Sequence, residues 1–563
     1  MRALFIYPEF PETFWSLRHA LKFLGVKALG PPLPLLTVAA MLPPDWDKKL
    51  VDLNAEPLTD EHLAWADLAF VSAMTVQFPS ADTVIQRCRA AGVKICAGGV
   101  HFSTPGAPFE PVDHLFIGEA EEILPLFLAD LAQGKALPEY RASGFPSLVA
   151  SPVPAWELLN QSHYLNMMLQ VCRGCPHDCD FCHVIVQYGR TPRYKEPDQV
   201  VAELQGLYDS GWRRDITFAD DNFICHHGKA KAILQAVSHW QAEHGYPFHF
   251  FAQASLEVVD DPELLPLMAQ AGFVGLFLGI ETPDPAALKE CNKRQNLNRD
   301  LVGAVRAVQA HGIEVIGGFI VGFDSDSPNV FDHQADFIEE AAIPTAMINL
   351  LTAAPDTRLY QRLEAEGRLL GDSDGDTAMN AGCLNFIPKM GRQRLLAGYK
   401  NLLERLFAPE PYYQRVLAFM GHYRPNPLLP GRFPTHRERL AVLKILFALG
   451  FKEPGRRAFW SLLGSLLWHH PQSLPLGIIM AAQGLHYRVI TDRFCAAPQE
   501  PAPRPLTAAD LQPEPLVCLD QPQNLPGAKA WPSEDADRPG EMRIDRALPE
   551  KSTILIQAGA AEK

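Results

Sequence analysis

Short apolar runs alternate with amphipathic stretches through the first two thirds of the chain, and the alternation stops near residue 370. In residues 1–145 the runs are RALFIYP (2–8), KKLVDLN (48–54), LAFVSAM (68–74), VKICAGG (93–99) and DHLFIGE (113–119), each ended by polar or glycine residues. Helical periodicity lies between some of them, clearest in PSADTVIQRCRAAG (79–92). Apolar strands separated by helices predict a parallel sheet covered on both faces. Ligands of such sheets bind beyond the carboxyl ends of the strands. Those ends here are Asp52–Asn54, Ser72–Met74, Gly98–Gly99 and Gly118–Glu119.

Residues 146–160 are Pro-rich and read as a connector. A second series then begins at 161 and runs to 370. Its strand candidates are LNMMLQV, DITFAD, FHFFAQAS, GLFLGIE, EVIGGFIVG and AMINLLTA, separated by helical stretches such as 198–212, 228–245 and 299–312. Six βα units in about 200 residues suit an open or partial barrel, whose chemistry sits at the strand C-termini. In 371–495 the pattern turns helical: 392–407, 411–421, 437–450 and 457–470 show helical periodicity. Residues 496–563 are rich in Pro, Asp and Glu and read as a mostly disordered tail.

The length of 563 residues fits three or four domains at about 150 residues each. Hydrophobic residues make up 47% and charged residues 20%, which excludes wholesale disorder and small disulfide scaffolds. The net charge of −15 argues against a nucleic-acid coat. The charge is uneven, however. Residues 391–500 carry fifteen Lys/Arg against six Asp/Glu, so a basic region sits on an acidic protein. That region implies an anionic ligand, a partner or a membrane surface, or else a solvated helical face. The apolar run in MRALFIYPEF is too short for a signal peptide, and no run approaches the roughly 20 residues of a membrane span. The expected location is the cytoplasm, with peripheral contact at the inner membrane face through the C-terminal helices.

Four of the eleven cysteines fall within 172–182, in Cys172-Arg-Gly-Cys175-Pro-His-Asp-Cys179-Asp-Phe-Cys182. This clustering directly after the first barrel strand reads as metal ligation in a reducing compartment. Four thiolates could hold zinc, but structural zinc sites usually join two separated knuckles. The other reading is that Cys175, Cys179 and Cys182 hold three irons of a [4Fe–4S] cluster and leave the fourth open.

On that motif and its placement the chain resembles the radical S-adenosylmethionine (SAM) enzymes. The resemblance implies a partial (βα)6 barrel with SAM chelating the open iron. It implies that Phe181 packs near the SAM adenine. Asp220 and Asp221, closing the second strand, would bind the amino end. Gln253 and Ser255 end the third strand, and Glu281, ending the fourth, would hold the ribose hydroxyls. Gly318 and Gly322, within Gly317–Gly322, would lie along the adenine. Strand-end glycines let backbone approach a flat ring, and carboxylates accept from hydroxyls and ammonium. Cys172 reads as a small strand-end residue beside the cluster, and His183 as loop packing or a substrate neighbour.

Residues 1–370 further resemble the cobalamin-binding class of these enzymes. The phrases PPLPLLTVAAMLP, VDLN, VSAM, AGGVH and GEAEEILP match in order and spacing. By that likeness Ser72, Gly98 and Gly99 line the pocket of the cobalamin nucleotide tail, and Glu119 lies by the corrin face or the domain boundary. Where many cobalamin proteins carry a cobalt-ligating His in D-x-H-x-x-G, this chain has Asp52-Leu-Asn54, so a base-off form is implied. His62 and His101 read as surface or loop residues.

The helical extension is similar to that of a subgroup including the hopanoid 2-methylase. The class implies methyl transfer from methylcobalamin to an unactivated carbon, after a SAM-derived radical has removed a hydrogen. The partners implied are a small, hydrophobic, lipid- or terpenoid-like substrate and a flavodoxin- or ferredoxin-like electron donor. Non-methylating cyclisation with the same cofactors, or a non-catalytic sensor, are the alternatives.

Overall fold

The computed structural model describes residues 1–371, 384–429 and 435–496. The expected disordered tail lies outside the described residues.

Six strands build the first sheet: β1 (Arg2–Tyr7), β2 (Asp47–Asp52), β3 (Leu68–Ser72), β4 (Lys94–Gly98), β5 (His114–Ile117) and β6 (Glu139–Arg141). Their order is β2-β1-β3-β4-β5-β6, and every pairing is parallel. Two separate apolar clusters cover the sheet, one on each face. This explains why β1 is apolar along its whole length rather than alternating. The short edge strand β6 was not legible, because three residues carry no period.

Six more strands form the second sheet: β7 (Met167–Leu169), β10 (Asp215–Phe218), β11 (His249–Ala254), β12 (Phe273–Glu281), β13 (Glu314–Val321) and β14 (Thr345–Leu350). Each adds to its predecessor in the parallel order β7-β10-β11-β12-β13-β14. Helices between them cover one face. Half-buried Met168, Thr217, Phe251, Phe277, Ile316 and Ile320 alternate with fully buried neighbours and mark the other face, the lumen of the partial barrel. Between β7 and β10, a small antiparallel hairpin pairs β8 (Cys172–Arg173) with β9 (Arg193–Tyr194) and encloses the cysteine loop.

An excursion from the first sheet, residues 8–30, reaches both edges of the barrel. On one side, Leu165 and Asn166 donate backbone N–H groups to the carbonyls of Ala28 and Leu29, beside β7. On the other, Phe14 packs on Phe407 and Tyr487 of the C-terminal helices. Those helices abut β14, where Tyr399 donates to the Ile348 carbonyl at 2.8 Å. Trp15 reaches the Phe277 ring at 5.3 Å.

The C-terminal helices, Arg392–Phe407, Pro409–His422, His436–Phe447, Arg456–His469 and Leu474–Ala496, share one continuous core with the barrel. The last of them is an addition to the sequence reading. It is buried on every side, so it lacks the amphipathic signature of a surface helix.

Candidate active site

The cysteine loop hangs from the carboxyl end of the barrel. Gly174, at φ +90°, lets the chain turn where a Cβ would meet the carbonyl oxygens of Gly189, Thr191 and Tyr188 at 3.0–3.1 Å. The loop is fastened by backbone hydrogen bonds from Asp180 to Cys291 and from Leu359 to Asp180. Asn292 Nδ2 adds a bond to the Asp178 carbonyl at 2.7 Å.

Burial pushes the Cys175 thiol up to about 11 and that of Cys182 up to about 12, and it also raises Cys179. Charge on Cys179 and Cys175 contributes to the rise at Cys182, so the three thiols are neighbours. Among the described residues no trio of His, Cys, Asp or Glu is tight enough for a single ion. Three neighbouring thiols on one loop are the donor set of a polynuclear iron–sulfur cluster, whose positive irons would draw off the thiol protons.

Cys172 is fully buried and donates from Sγ to the Asn222 carbonyl at 3.5 Å. Cys225, which the sequence did not single out, neighbours it and helps to raise it. His183 is partly buried, and burial lowers it.

The strand ends supply the surrounding groups. Asp220 is wholly buried, and its Oδ1 accepts from the backbone N–H groups of Val171 (2.7 Å) and Cys172 (2.8 Å). It therefore fastens the start of the cysteine loop, a task the sequence did not suggest. Burial pushes its carboxyl up to about 7 and that of Asp221 up to about 6. Asp220 Oδ2 and Asp221 Oδ2 are buried without a protein partner, as expected of oxygens awaiting a ligand donor.

Gln253 is exposed at the barrel mouth, and Ser255 receives a hydrogen bond from Asn222 and donates to Glu257 at 2.9 Å. Phe181 stands 6.2 Å from the ring of Phe323. Gly318 is closely backed by Phe277, and the Gly322 N–H donates to Asp326 Oδ2 at 2.7 Å.

Glu281 ends β12 in a left-handed conformation (φ 66°), at a register shift against β13. Such conformations in non-glycine residues cluster at functional sites. Its Oε1 accepts from Lys293 Nζ at 2.6 Å, in a pair that is nearly dry. Burial pulls the ammonium of Lys293 down, but Glu281 and the Cys179 and Cys182 thiols outweigh it, and the net shift is upward. Gly279 makes room, since a Cβ there would lie 2.8 Å from Glu281 Oε1 and 2.9 Å from Lys293 Nζ. Sequence reasoning missed Lys293, because one lysine in CNKRQN carries no pattern.

The residues expected to line a nucleotide pocket lie at the carboxyl ends of β3 and β4. Ser72 pairs with Gly98, and Gly99 follows at φ +100°, where a Cβ would come within 2.7 Å of Ser72 Oγ. In the stretch that lacks the cobalt-ligating histidine, Asp52 receives Asn54 and the Tyr164 hydroxyl (3.0 Å), so it links the first sheet to the start of the barrel. His101 is buried rather than at the surface, with Nε2 2.9 Å from the Pro108 carbonyl. Apolar Phe78 and Phe102 surround it. His62, expected at the surface or in a loop, is half-buried on the first turn of helix Asp60–Trp65, where it forms a capping box with Thr59.

Glu119 stands at the boundary between the sheets. It accepts from Arg173 Nη1 at 2.5 Å and from both Nη atoms of Arg193 at 2.9 and 2.6 Å. Glu121 holds the other side of Arg173 at 2.8 Å. Two arginines flanking the cysteine loop are thus gripped by two buried carboxylates that follow β5.

An open parallel barrel with a C-x3-C-x2-C loop at its strand ends defines a radical SAM enzyme. Comparison with known proteins agrees. Residues 169–341 match the Radical SAM superfamily, and residues 357–500 match a domain of unknown function, DUF4070. An uncharacterized methyltransferase of Synechocystis sp. is 37% identical, over 86% of this chain and 91% of its own. The hopanoid C-2 methylase of Rhodopseudomonas palustris is 32% identical, over 82% and 88%. The fold is shared with two solved structures. The cobalamin-dependent SAM radical enzyme OxsB has a TM-score of 0.55 at 14% identity, over 87% of this chain and 80% of its own. The radical SAM methyltransferase TsrM from Kitasatospora setae has a TM-score of 0.54 at 15% identity, over 84% and 99%. The chain belongs to the radical SAM methyltransferase family that contains the hopanoid C-2 methylase.

Proposed function

We propose that this enzyme methylates an unactivated carbon of an apolar, lipid- or terpenoid-like substrate. It would use a [4Fe–4S] cluster on Cys175, Cys179 and Cys182, with SAM at the barrel mouth and cobalamin in the crevice of the first sheet. The observation that carries this reading is the Glu119 junction, which fastens the cysteine loop to the turn after β5 in the first sheet. Residues 1–145 would be the cobalamin-binding domain and 161–370 the SAM domain.

Once bound, the cofactors supply an electron, a hydrogen-abstracting radical and a methyl group. The chain's own residues position them and exclude water. Asp220 fixes the backbone at the root of the cysteine loop. The free oxygens of Asp220 and Asp221 are set to accept from an ammonium. Glu281, oriented by Lys293, is set to accept from ribose hydroxyls, and Phe181 offers an apolar face to the adenine. The lumen walls Met168, Phe251, Phe277, Ile316 and Ile320, with Trp15 against Phe277, support an apolar substrate. A flavodoxin- or ferredoxin-like protein would deliver the electron. Contact of the C-terminal helices with the inner membrane face belongs to the same reading, although no described helix is long and apolar enough to cross a membrane.

The test is anaerobic reconstitution with iron, sulfide and cobalamin, then SAM and dithionite, with 5′-deoxyadenosine and lipid extracts followed by mass. A lipid heavier by one CH2 unit supports the reading. A SAM-dependent product without that gain assigns the enzyme to cyclisation chemistry instead.

A further inference from the structure

Helix His436–Phe447 is apolar on two sides. Ala441 and Ile445 are buried against the body of the protein, while Leu443 (62% exposed) and Phe447 (56%) face outward. The stripe continues through the π-helical turn Ala448–Lys452 to Phe451, which is 64% exposed. The Phe451 ring lies 6.0 Å from Phe447 and 5.9 Å from Trp460 on the next helix. Trp460 is held by a hydrogen bond from Nε1 to the Gly450 carbonyl at 3.0 Å. Two turns on, Leu467 is 60% exposed and Trp468 83%. Gly464, between them, has open space where a Cβ would point. A contiguous aromatic surface of this kind marks an interaction site.

The charges beside it identify the partner. Lys444, Lys452, Arg456 and Arg457 surround the aromatic ladder, and none has an ion-pair partner among the described residues. The nearby carboxylate of Glu453 is already taken by Arg488. Lys452 Nζ sits 5.1 Å from the Phe447 ring, so a cation and an exposed aromatic share one edge. An apolar protein partner would not require uncompensated cations. A phospholipid surface meets both features, since aromatic rings enter the headgroup boundary and Lys and Arg meet the phosphates.

We propose that the face formed by Phe447, Phe451, Trp460 and Trp468, with Lys444, Lys452, Arg456 and Arg457, docks on an anionic lipid bilayer. This deepens the membrane clause of the methyl-transfer reading, and its test needs no turnover.

The reconstituted full chain is mixed with vesicles of phosphatidylcholine, with and without about one-third phosphatidylglycerol, at low salt, and sedimented. Binding to the anionic vesicles alone is expected. The double variant Phe451→Ser/Trp468→Ser should weaken it about tenfold or more, given the apolar area withdrawn. The triple variant Lys452→Glu/Arg456→Glu/Arg457→Glu should abolish the preference for anionic lipid. Cluster absorbance checks that the variants fold. In the parent chain, quenching of tryptophan fluorescence by brominated lipid should fall in Trp468→Phe. The proposal is overturned if anionic vesicles fail to sediment the chain, or if binding survives both variants. It is also overturned if Trp468→Ser merely converts a dimer to a monomer with no lipid effect. Deoxyadenosine formation would be untouched by any of these results.

Discussion

Arg173 lies two residues ahead of Cys175 and donates to Glu119 across the boundary between the sheets at 2.5 Å. The root of the cysteine loop is thereby tied to the first sheet. Replacing Glu119 by Ala leaves Arg193 buried without its carboxylate, and removing one member of a buried ionic group costs about 3–5 kcal/mol. Denaturant unfolding of Glu119→Ala should show that loss. The electron paramagnetic spectrum of the reduced cluster should change as well, because the loop root is released. An unchanged spectrum in a folded variant would disprove the mechanical link.

Lys293 and Glu281 make a second test. Lys293→Met strands a buried carboxylate, with a similar expected loss of about 3–5 kcal/mol. The double variant Lys293→Met/Glu281→Gln should regain most of that stability, because neither charge remains. It should still fail to form 5′-deoxyadenosine. Equal instability of the single and double variants would mean that the pair does not act as a unit.

The cysteines divide three to one. Alanine at Cys175, Cys179 or Cys182 should remove the iron–sulfur absorbance and SAM cleavage. Alanine at Cys172 should keep both, since that thiol is buried and donates to the Asn222 carbonyl. Loss of the cluster in Cys172→Ala would make it a ligand.

At Gly99, alanine would sit at φ +100° with its Cβ 2.7 Å from Ser72 Oγ. A strained backbone of this kind costs about 1–3 kcal/mol. Gly99→Ala should weaken cobalamin retention on gel filtration while leaving the cluster spectrum intact. Full retention would place the cobalamin tail elsewhere.

Glu314 opens β13, wholly buried, and accepts from Thr345 Oγ1 at 3.0 Å. Burial pushes its carboxyl up to about 7 from the ordinary 4.5. The folded protein thus holds this proton more tightly than the unfolded chain. The group costs no stability below the ordinary value, and the cost grows as pH rises toward 7 and then levels. Glu314→Gln should be more stable than the parent by roughly 3 kcal/mol at about pH 8, and by much less at about pH 5. A pH-independent difference in denaturant midpoint would contradict this.

Much of this was legible because strands and cysteines write themselves locally. All six barrel strands were marked by apolar runs, and the cysteines proposed to hold the cluster stood out by their spacing and their place after the first barrel strand. What escaped depends on long-range contact. Lys293 and Arg193 matter through partners 12 and 74 residues away, and no window of sequence holds such pairs. Helix Leu474–Ala496 escaped for the opposite reason, since buried positions on every side erase the polar face that betrays a helix. Asp220 was singled out, but its main work on the loop backbone appears only when residues 171 and 220 are brought together.

The excursion of residues 8–30 has a consequence for how the protein is made. His486 Nε2 meets the Thr13 carbonyl at 3.0 Å across 473 residues of chain, and Glu12 pairs with Arg493. During synthesis the first sheet can form early, but its inserted segment must wait for the last described helix, Leu474–Ala496, to leave the ribosome. Contacts so distant in sequence slow the final step of folding and leave apolar Phe14, buried against Tyr487 in the finished fold, uncovered until then. A nascent chain stalled before Leu474 would therefore carry an unfinished barrel wall, and chaperones would be expected to engage it there.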